Sequence, residues 1–576
     1  MDKDHQPHQS GFCHTHSSRR EFLRSAAILG GGLSLLGINV AGSIPKDNEL
    51  SNIKHSRAIQ SGKANHFTIL YTADIHAQLH THDELFIEHG QVVYKKRGGF
   101  SVLKTMLHQL KAENPQNTII IDAGDCFQGG GVAALSRGKK IVPLINNIGY
   151  DLILPGNWEV VYGKKMMMKD MNGYKAAKIC ANMFHDENGE LIFNPYWTVQ
   201  IGGTKIGFIG YNDPLTYKRQ SPAYSKGIKF TEPEANVARY IRKLRDDEKC
   251  SMVFLVTHMG LGQQIDLANR AYVEGADYIL GADTHERVRK PIQGQYAKVT
   301  EPGSFGSFVA RLDFIIEDEV IKDQQYQLLD VDPDRYKPDV EMEMLLRKAY
   351  RPYNHTLSKV IGRTKTPLVR YYILETPMDN MITDAIMWKI KPDIALSNGF
   401  RFCPPLVPDR EKGFAEITND YLWSMLPVDS QARQATVTGE QLWQWMEKEL
   451  ENVFSQNLSE RLGGWVVRFS GMKVNFTMRA KSGERINSMD VKGVPIDLKK
   501  NYTVAACERE GDPDGLLCRI ENVVNSAPLK FTLHNIILEY LQAFSPISPK
   551  IEGRMTATDI PQDLLTQVEG FDYEFR

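Results

Sequence analysis

Five short apolar runs in the first half of the chain each end on the same kind of residue. Ile69-Leu70-Tyr71-Thr72 leads into Ala73-Asp74-Ile75-His76, and Thr118-Ile119-Ile120-Ile121 into Asp122-Ala123-Gly124-Asp125. Leu152-Ile153-Leu154 leads into Pro155-Gly156-Asn157, Met252-Val253-Phe254-Leu255-Val256-Thr257 into His258, and Tyr278-Ile279-Leu280 into Gly281-Ala282-Asp283-Thr284-His285. Short apolar, β-rich runs bounded by Gly, Pro and Asp predict buried strands. A strand alternates its side chains with period two, so Asp74 and His76 are expected on one side of the first strand's end. Between the runs the period changes. Val102, Leu103, Met106, Leu107 and Leu110 are spaced for an amphipathic helix, and helices are also expected over 141–148, 232–244 and 262–273. A further strand is expected at 176–181, and Gly202-Gly203-Thr204 reads as the turn of a hairpin between 198–201 and 205–211. Strand and helix alternate for about 250 residues, which predicts an α/β layered fold with its site at the strand ends.

At 576 residues the chain is too long for one compact core, and two domains are expected. The expected division is a leader at 1–43, a polar linker at 44–65, a first domain at 66–340, a charged helical connector at 341–357, a second domain at 358–555 and a tail at 556–576. The second domain is expected to hold helices over 378–390 and 439–454, with β segments at 393–396, 465–467, 472–476 and 502–506. Its loop Ser397-Asn398-Gly399-Phe400-Arg401-Phe402 stands out. The leader carries Ser18-Arg19-Arg20-Glu21-Phe22-Leu23 before a mild, glycine-rich apolar segment, which resembles a twin-arginine (Tat) export signal. That segment is too short for a membrane span, and a periplasmic or otherwise exported protein with no integral span after signal cleavage is expected.

A net charge of -1 gives no footprint for nucleic acid or an anionic membrane. The seven cysteines form no C-x-x-C pair, which argues against a zinc knuckle or a dense disulfide framework. The chemistry therefore rests on the strand ends. Two cations about 3.5–4 Å apart must share an anion, and Asp125 is the natural bridge. Asp74, His76 and His285 would complete one metal position, and Asn157, His258 and Asp283 the other. Two divalent ions are expected, Mn first, with Zn or Fe as alternatives.

These blocks resemble the calcineurin-like metallophosphoesterase superfamily, whose usual pattern is D-x-H, G-D, G-N-H-E, H-x-G and G-H-x-H. Here they stand as Asp74-Ile75-His76, Gly124-Asp125, Gly156-Asn157-Trp158-Glu159, His258-Met259-Gly260 and Asp283-Thr284-His285. The chain from about 66 to 555 is similar to the two-domain 5′-nucleotidase branch. The resemblance implies an α/β fold: a four-layer metallophosphoesterase-type β-sandwich flanked by helices, followed by a C-terminal α+β domain of 5′-nucleotidase type. It also implies a catalytic first domain and a substrate-binding second one.

Two departures narrow the reading. Trp158 stands where the family places a histidine that protonates the leaving group, and an indole N–H is no acid near neutral pH. Asp283 replaces the first histidine of G-H-x-H, which favours Mn or Fe over an ion preferring softer ligands. Gly156-Asn157-Trp158-Glu159 and Leu462-Gly463-Gly464-Trp465-Val466-Val467-Arg468 resemble SoxB-type thiosulfohydrolases of sulfur oxidation, and the aromatic base-binding features of nucleotidases are replaced. The SoxB resemblance implies hydrolytic release of sulfate from a cysteine-S-thiosulfonate on a carrier protein. On this reading Asp125, Asn157 and Trp158 are the catalytic candidates. Arg401, Phe400 and Arg97 are the candidates for holding the substrate oxyanion, and Phe402 and Trp465 for lining its channel. Two alternatives stay open: a 5′-nucleotidase or general phosphomonoesterase or phosphodiesterase, and an exported binding protein that has lost catalysis.

Overall fold

The computed structural model describes residues 65–201, 203–317, 320–398, 403–566, 568 and 575. The expected leader, linker residues 44–64, and Phe400 and Arg401 of the expected substrate loop lie outside the described residues. Among the described residues, no helix is long and apolar enough to cross a membrane.

Two six-stranded sheets face each other in the first domain. One carries, in spatial order, Val320–Asp330, Phe308–Glu317, Asn65–Thr72, Thr118–Asp122, Leu152–Ile153 and Ala177–Lys178. The other carries Ile292–Gln293, Lys298–Thr300, Tyr278–Leu280, Met252–His258, Thr204–Asn212 and Tyr196–Ile201. Met252–His258 is buried along its whole length, because both of its faces are covered. Phe254 and Val256 point to the first sheet, where the Phe254 ring meets Phe314 at 5.7 Å. Val253 and Leu255 point the other way, into the layer formed by helices Val237–Arg242 and Leu261–Ala268. On the far side, helix Phe100–Glu113 buries Leu103, Met106, Leu107 and Leu110 against the first sheet. The result is helix, sheet, sheet, helix. Tyr71 and Thr300 share a 2.7 Å hydroxyl contact between the two sheets.

Parallel pairing decides where the site forms. Asn65–Thr72, Thr118–Asp122 and Leu152–Ile153 run parallel, as do Thr204–Asn212, Met252–His258 and Tyr278–Leu280. Their C-terminal ends, and the loops that follow, therefore gather on one edge.

Three expectations are corrected. The helix expected over 232–244 is split into a 3-10 turn Pro233–Ala235, an α-helix Val237–Arg242 and a π-turn Lys243–Asp247. Asn236 breaks it, since its side chain accepts from Tyr211 Oη at 2.7 Å and donates to Ala181 O at 2.7 Å. The helix expected over 262–273 stops at Ala268, where the Asn269 side chain caps Ile265 O and receives Gln295 N. Residues 465–467 form no strand: Gly463 and Gly464 take left-handed φ of 73° and 75°, and pairing resumes only at Arg468–Ser470. The hairpin His82–Glu88 and Gln91–Arg97 was not anticipated, because Leu85-Phe86-Ile87 is a short apolar run among charges. His89 and Gly90 at its tip are both left-handed, the primed turn that matches strand twist.

Helix Val340–Tyr350, capped by Asp339 receiving Met342 N, buries Met342, Leu346 and Ala349 against the first domain. The second domain centres on a five-stranded sheet in the order Arg468–Ser470, Ile394–Ser397, Asn501–Cys507, Gln431–Thr438 and Val524–Thr532. Helices Pro377–Ile390, Gly439–Phe454 and Leu533–Phe544 pack on it. Thr438 and Gln441 close a capping box on the second of these helices.

Candidate metal centre

Asp74 and His76 lie beyond the end of strand Asn65–Thr72, both with left-handed φ, 51° and 50°. Their convergence therefore does not come from strand alternation. It comes from zipping that turn to the next strand end: Asp74 N donates to Gly124 O at 2.9 Å, His76 N to Asp125 O at 2.9 Å and Ala77 N to Cys126 O at 3.0 Å. Asp125, Asp283 and His285 are left-handed as well, at 57°, 94° and 60°. Such conformations cost roughly 1–3 kcal/mol each and persist where the surroundings over-determine them, commonly at functional sites.

Glycine is required at two points. At Gly156 a Cβ would lie 2.2 Å from Asp125 Oδ1, and at Gly124 it would lie 2.7 Å from Gly156 N. Gly156→Ala should push the Asp125 carboxylate aside and weaken metal binding by about tenfold or more; unchanged metal affinity in titration would refute this packing argument. Glu159 fixes the same turn, accepting from Gly156 N at 2.6 Å, Asp125 N at 3.0 Å and Cys126 N at 2.9 Å. Burial, reinforced by Asp125, pushes its carboxyl up to about 8.

The donor atoms meet at the centre. Asp74 Oδ1 is buried and accepts no hydrogen bond, yet it lies 3.9, 3.7 and 3.5 Å from Nε2 of His76, His258 and His285. His76 Nε2 and His285 Nε2 are 3.0 Å apart, and His258 Nε2 is 3.1 Å from Asp125 Oδ2. A carbonyl only accepts, so the contacts of His76 Nδ1 with Gln128 O (2.9 Å) and of His258 Nδ1 with Ala123 O (2.8 Å) place the Nδ1 protons outward. The Nε2 atoms are left facing the carboxylates. Burial lowers His76 to about 4, so it is neutral near neutral pH. Burial opposes charge on His258, but Asp125 and Asp74 outweigh it and raise its pKa, so a proton and a metal ion compete for its Nε2. Burial, with Asp125 adding repulsion, raises Asp74 to about 7; a cation in the cluster offsets both effects. This set of hard oxygens and imidazole nitrogens fits a first-row divalent ion. Among the described residues, two three-residue groups have ligand atoms close enough together to hold one: Asp74, His76 and His285, and Asp74, Asp125 and His258.

Asn157 and Asp283 stand at the edge of this cluster and differ from the rest. Asp283 Oδ1 receives Asn157 Nδ2 at 2.6 Å, and Arg219 Nη2 reaches both Asp283 oxygens at 2.9 and 2.7 Å. Arg219 and Gln220 are not expected from the sequence; nothing in Thr216-Tyr217-Lys218-Arg219-Gln220 marks them, since they reach the site from the end of the short helix Thr216–Arg219 that follows strand Thr204–Asn212. Arg97, expected to hold substrate, is engaged elsewhere. Its guanidinium bonds Asp330 at 3.2 Å and lies 3.6 Å from Asp332, outside the cavity at the cluster.

That cavity is closed by Trp158, whose backbone N–H donates to Asp125 Oδ1 at 2.7 Å, and by Gly464 and Trp465 of the second domain. Beyond Trp158, Arg219 and Gln220 it opens into an interdomain cleft. The second domain's wall there mixes aliphatic side chains (Ile386, Leu396, Leu426, Val428 and Leu533) with polar ones (Ser397, Asn398, Ser430, Glu508 and Arg509), and the first domain contributes Trp158 and Tyr224.

Residues 67–287 match the calcineurin-like phosphoesterase family, and residues 360–508 the 5′-nucleotidase C-terminal domain. Snake venom 5′-nucleotidase from Naja atra is 24% identical over 85% of this chain and 98% of its own. Two longer Bacillus subtilis proteins, trifunctional nucleotide phosphoesterase YfkN and endonuclease YhcR, are 23% and 25% identical over 79% and 84% of this chain, which spans only 34% and 40% of theirs. Sulfate thiohydrolase SoxB from Thermus thermophilus superposes with a TM-score of 0.78 at 19% identity, covering 87% of this chain and 98% of SoxB. A 5′-nucleotidase precursor from Thermus thermophilus superposes with a TM-score of 0.74 at 21% identity, covering 86% and 100%. The chain thus carries, in order, a segment matching the calcineurin-like phosphoesterase family and a segment matching the 5′-nucleotidase C-terminal domain.

Proposed function

We propose that the chain is an exported hydrolase that releases sulfate from a cysteine-S-thiosulfonate, in the manner of SoxB-type proteins. Asp74, His76, Asp125, His258 and His285 would hold the metal, with Asn157 and Asp283 at a second position. When bound, the metal supplies Lewis acidity toward the oxyanion and an activated water.

Trp158 carries the reading. It stands beside Asp125 where a leaving-group acid would act, and its indole cannot transfer a proton near neutral pH. A 5′-nucleotide leaves as an alkoxide and needs that proton. A sulfur leaving group does not, since an ordinary thiol already ionises near pH 8.5. In the proposed reaction the oxygen of water bonds to the sulfonate sulfur and the S–S bond breaks. Its electron pair stays on the departing persulfide, and two protons pass to solvent as sulfate forms. Arg401 and Phe400 remain proposed substrate contacts.

The test is product release by the metal-loaded chain from a cysteine-S-thiosulfonate peptide and, in parallel, from AMP. Sulfate should appear faster than phosphate. Faster phosphate release from AMP would favour the nucleotidase reading, and no release of either would favour a binding protein.

A further inference from the structure

The two halves of the cluster are unlike. At Asp74 the acceptor Oδ1 is buried with no hydrogen-bond donor. At the other side both expected oxygen ligands are already satisfied: Asn157 Oδ1 receives Gln220 Nε2 at 3.0 Å, and the Asp283 carboxylate receives Asn157 Nδ2 and Arg219. Arg219 also donates through Nη1 to Asp213 Oδ2 at 2.8 Å, and Asp213 is fully buried at the end of strand Thr204–Asn212. A guanidinium stays protonated in proteins, so this is a permanent cation. The second domain holds it in place. Arg509 donates to the carbonyls of Lys218 and Gln220 on either side of it, and Gly463 lies so close that a Cβ there would sit 3.0 Å from Arg219 Nη2.

We infer that Arg219 is an internal cation that shares Asp283 with the second metal position, so that the cluster binds two ions of unequal affinity. The inference rests on the metal-binding reading above but not on which ester is cleaved. The first ion enters at Asp74, His76 and His285, where the acceptor is bare. The second must draw Asn157 Oδ1 away from Gln220 and take part of the Asp283 carboxylate from Arg219. Asp283 in place of an imidazole is what makes this possible, since a neutral histidine would not hold a guanidinium.

The test is titration of Mn²⁺ into the full chain after chelator stripping, followed by calorimetry, for the unaltered protein, Arg219→Gln and Asp283→His. The unaltered chain should bind one ion tightly and a second on the order of 10–100-fold more weakly. Arg219→Gln should tighten the second ion and narrow that gap, whereas Asp283→His, which removes the shared carboxylate and leaves the Arg219 cation in place, should widen it. Asp283→His leaves the buried Arg219–Asp213 pair intact, so it stays informative if Arg219→Gln unfolds in a parallel thermal melt. Two ions of equal affinity in the unaltered chain, or a gap unmoved by Asp283→His, would overturn the inference. Absence of any bound Mn²⁺ would overturn the metal-binding reading itself, and this inference with it.

Discussion

An Asp125→Ala chain should lose its metal and, with it, more than roughly a thousandfold in hydrolytic rate. Asp125 Oδ2 lies 3.1 Å from His258 Nε2 and 3.8 Å from His76 Nε2, and its Oδ1 accepts the Trp158 N–H at 2.7 Å. Among the described residues, no other side chain touches both imidazoles and the turn bearing Asn157 and Trp158. The imidazoles of His258 and His76 and the Trp158 N–H hold this carboxyl well below the usual range against the cost of burial, which favours its anionic form. Its removal takes out the negative charge that balances a divalent ion between two histidines. Metal analysis of the purified variant checks the first half of the expectation and a product assay the second. Full metal occupancy with full activity would sink the proposed ligand set.

Trp158→His should have the next largest effect, and in the opposite direction for one substrate class. The residue lines both the cavity at the cluster and the interdomain cleft, 7% exposed. An imidazole there could protonate a departing alkoxide, and a well-placed general acid contributes on the order of 10²–10⁴-fold. Phosphate release from AMP and from simple alkyl phosphates should therefore rise by about tenfold or more, with sulfate release unimproved, because a persulfide needs no proton. If phosphate release does not rise, the tryptophan is not standing in for a missing acid, and the argument from leaving groups fails with it.

Much of this was legible in the chain because the ligand-bearing segments are strands buried on both faces. Thr118–Asp122 and Met252–His258 are nearly continuous apolar runs, and a polar residue at the end of such a run has few structural uses. Asp74 and His76 do converge as expected, but by a different geometry. In place of strand alternation, two left-handed residues and the hydrogen bonds to Gly124 and Asp125 do the aiming. Arg219 could not be found this way, for it lies on the four-residue helix Thr216–Arg219 with no apolar period, and its importance comes from Asp213 and Asp283, 6 and 64 positions away. The helix break at Asn236 and the coil at 465–467 were hidden for a related reason. Each is dictated by a tertiary or backbone feature, the anchoring of Asn236 in one case and the left-handed Gly463-Gly464 pair in the other, that overrides local propensity.

The most direct test of the account is where a metal sits. Crystals of the chain purified with Mn²⁺ and measured at the manganese absorption edge should show an anomalous peak among Asp74, His76, Asp125, His258 and His285, at the oxygen and nitrogen distances of a first-row ion, about 2.0–2.2 Å. A map with no peak there, or with its strongest peak away from these five residues, would contradict the account.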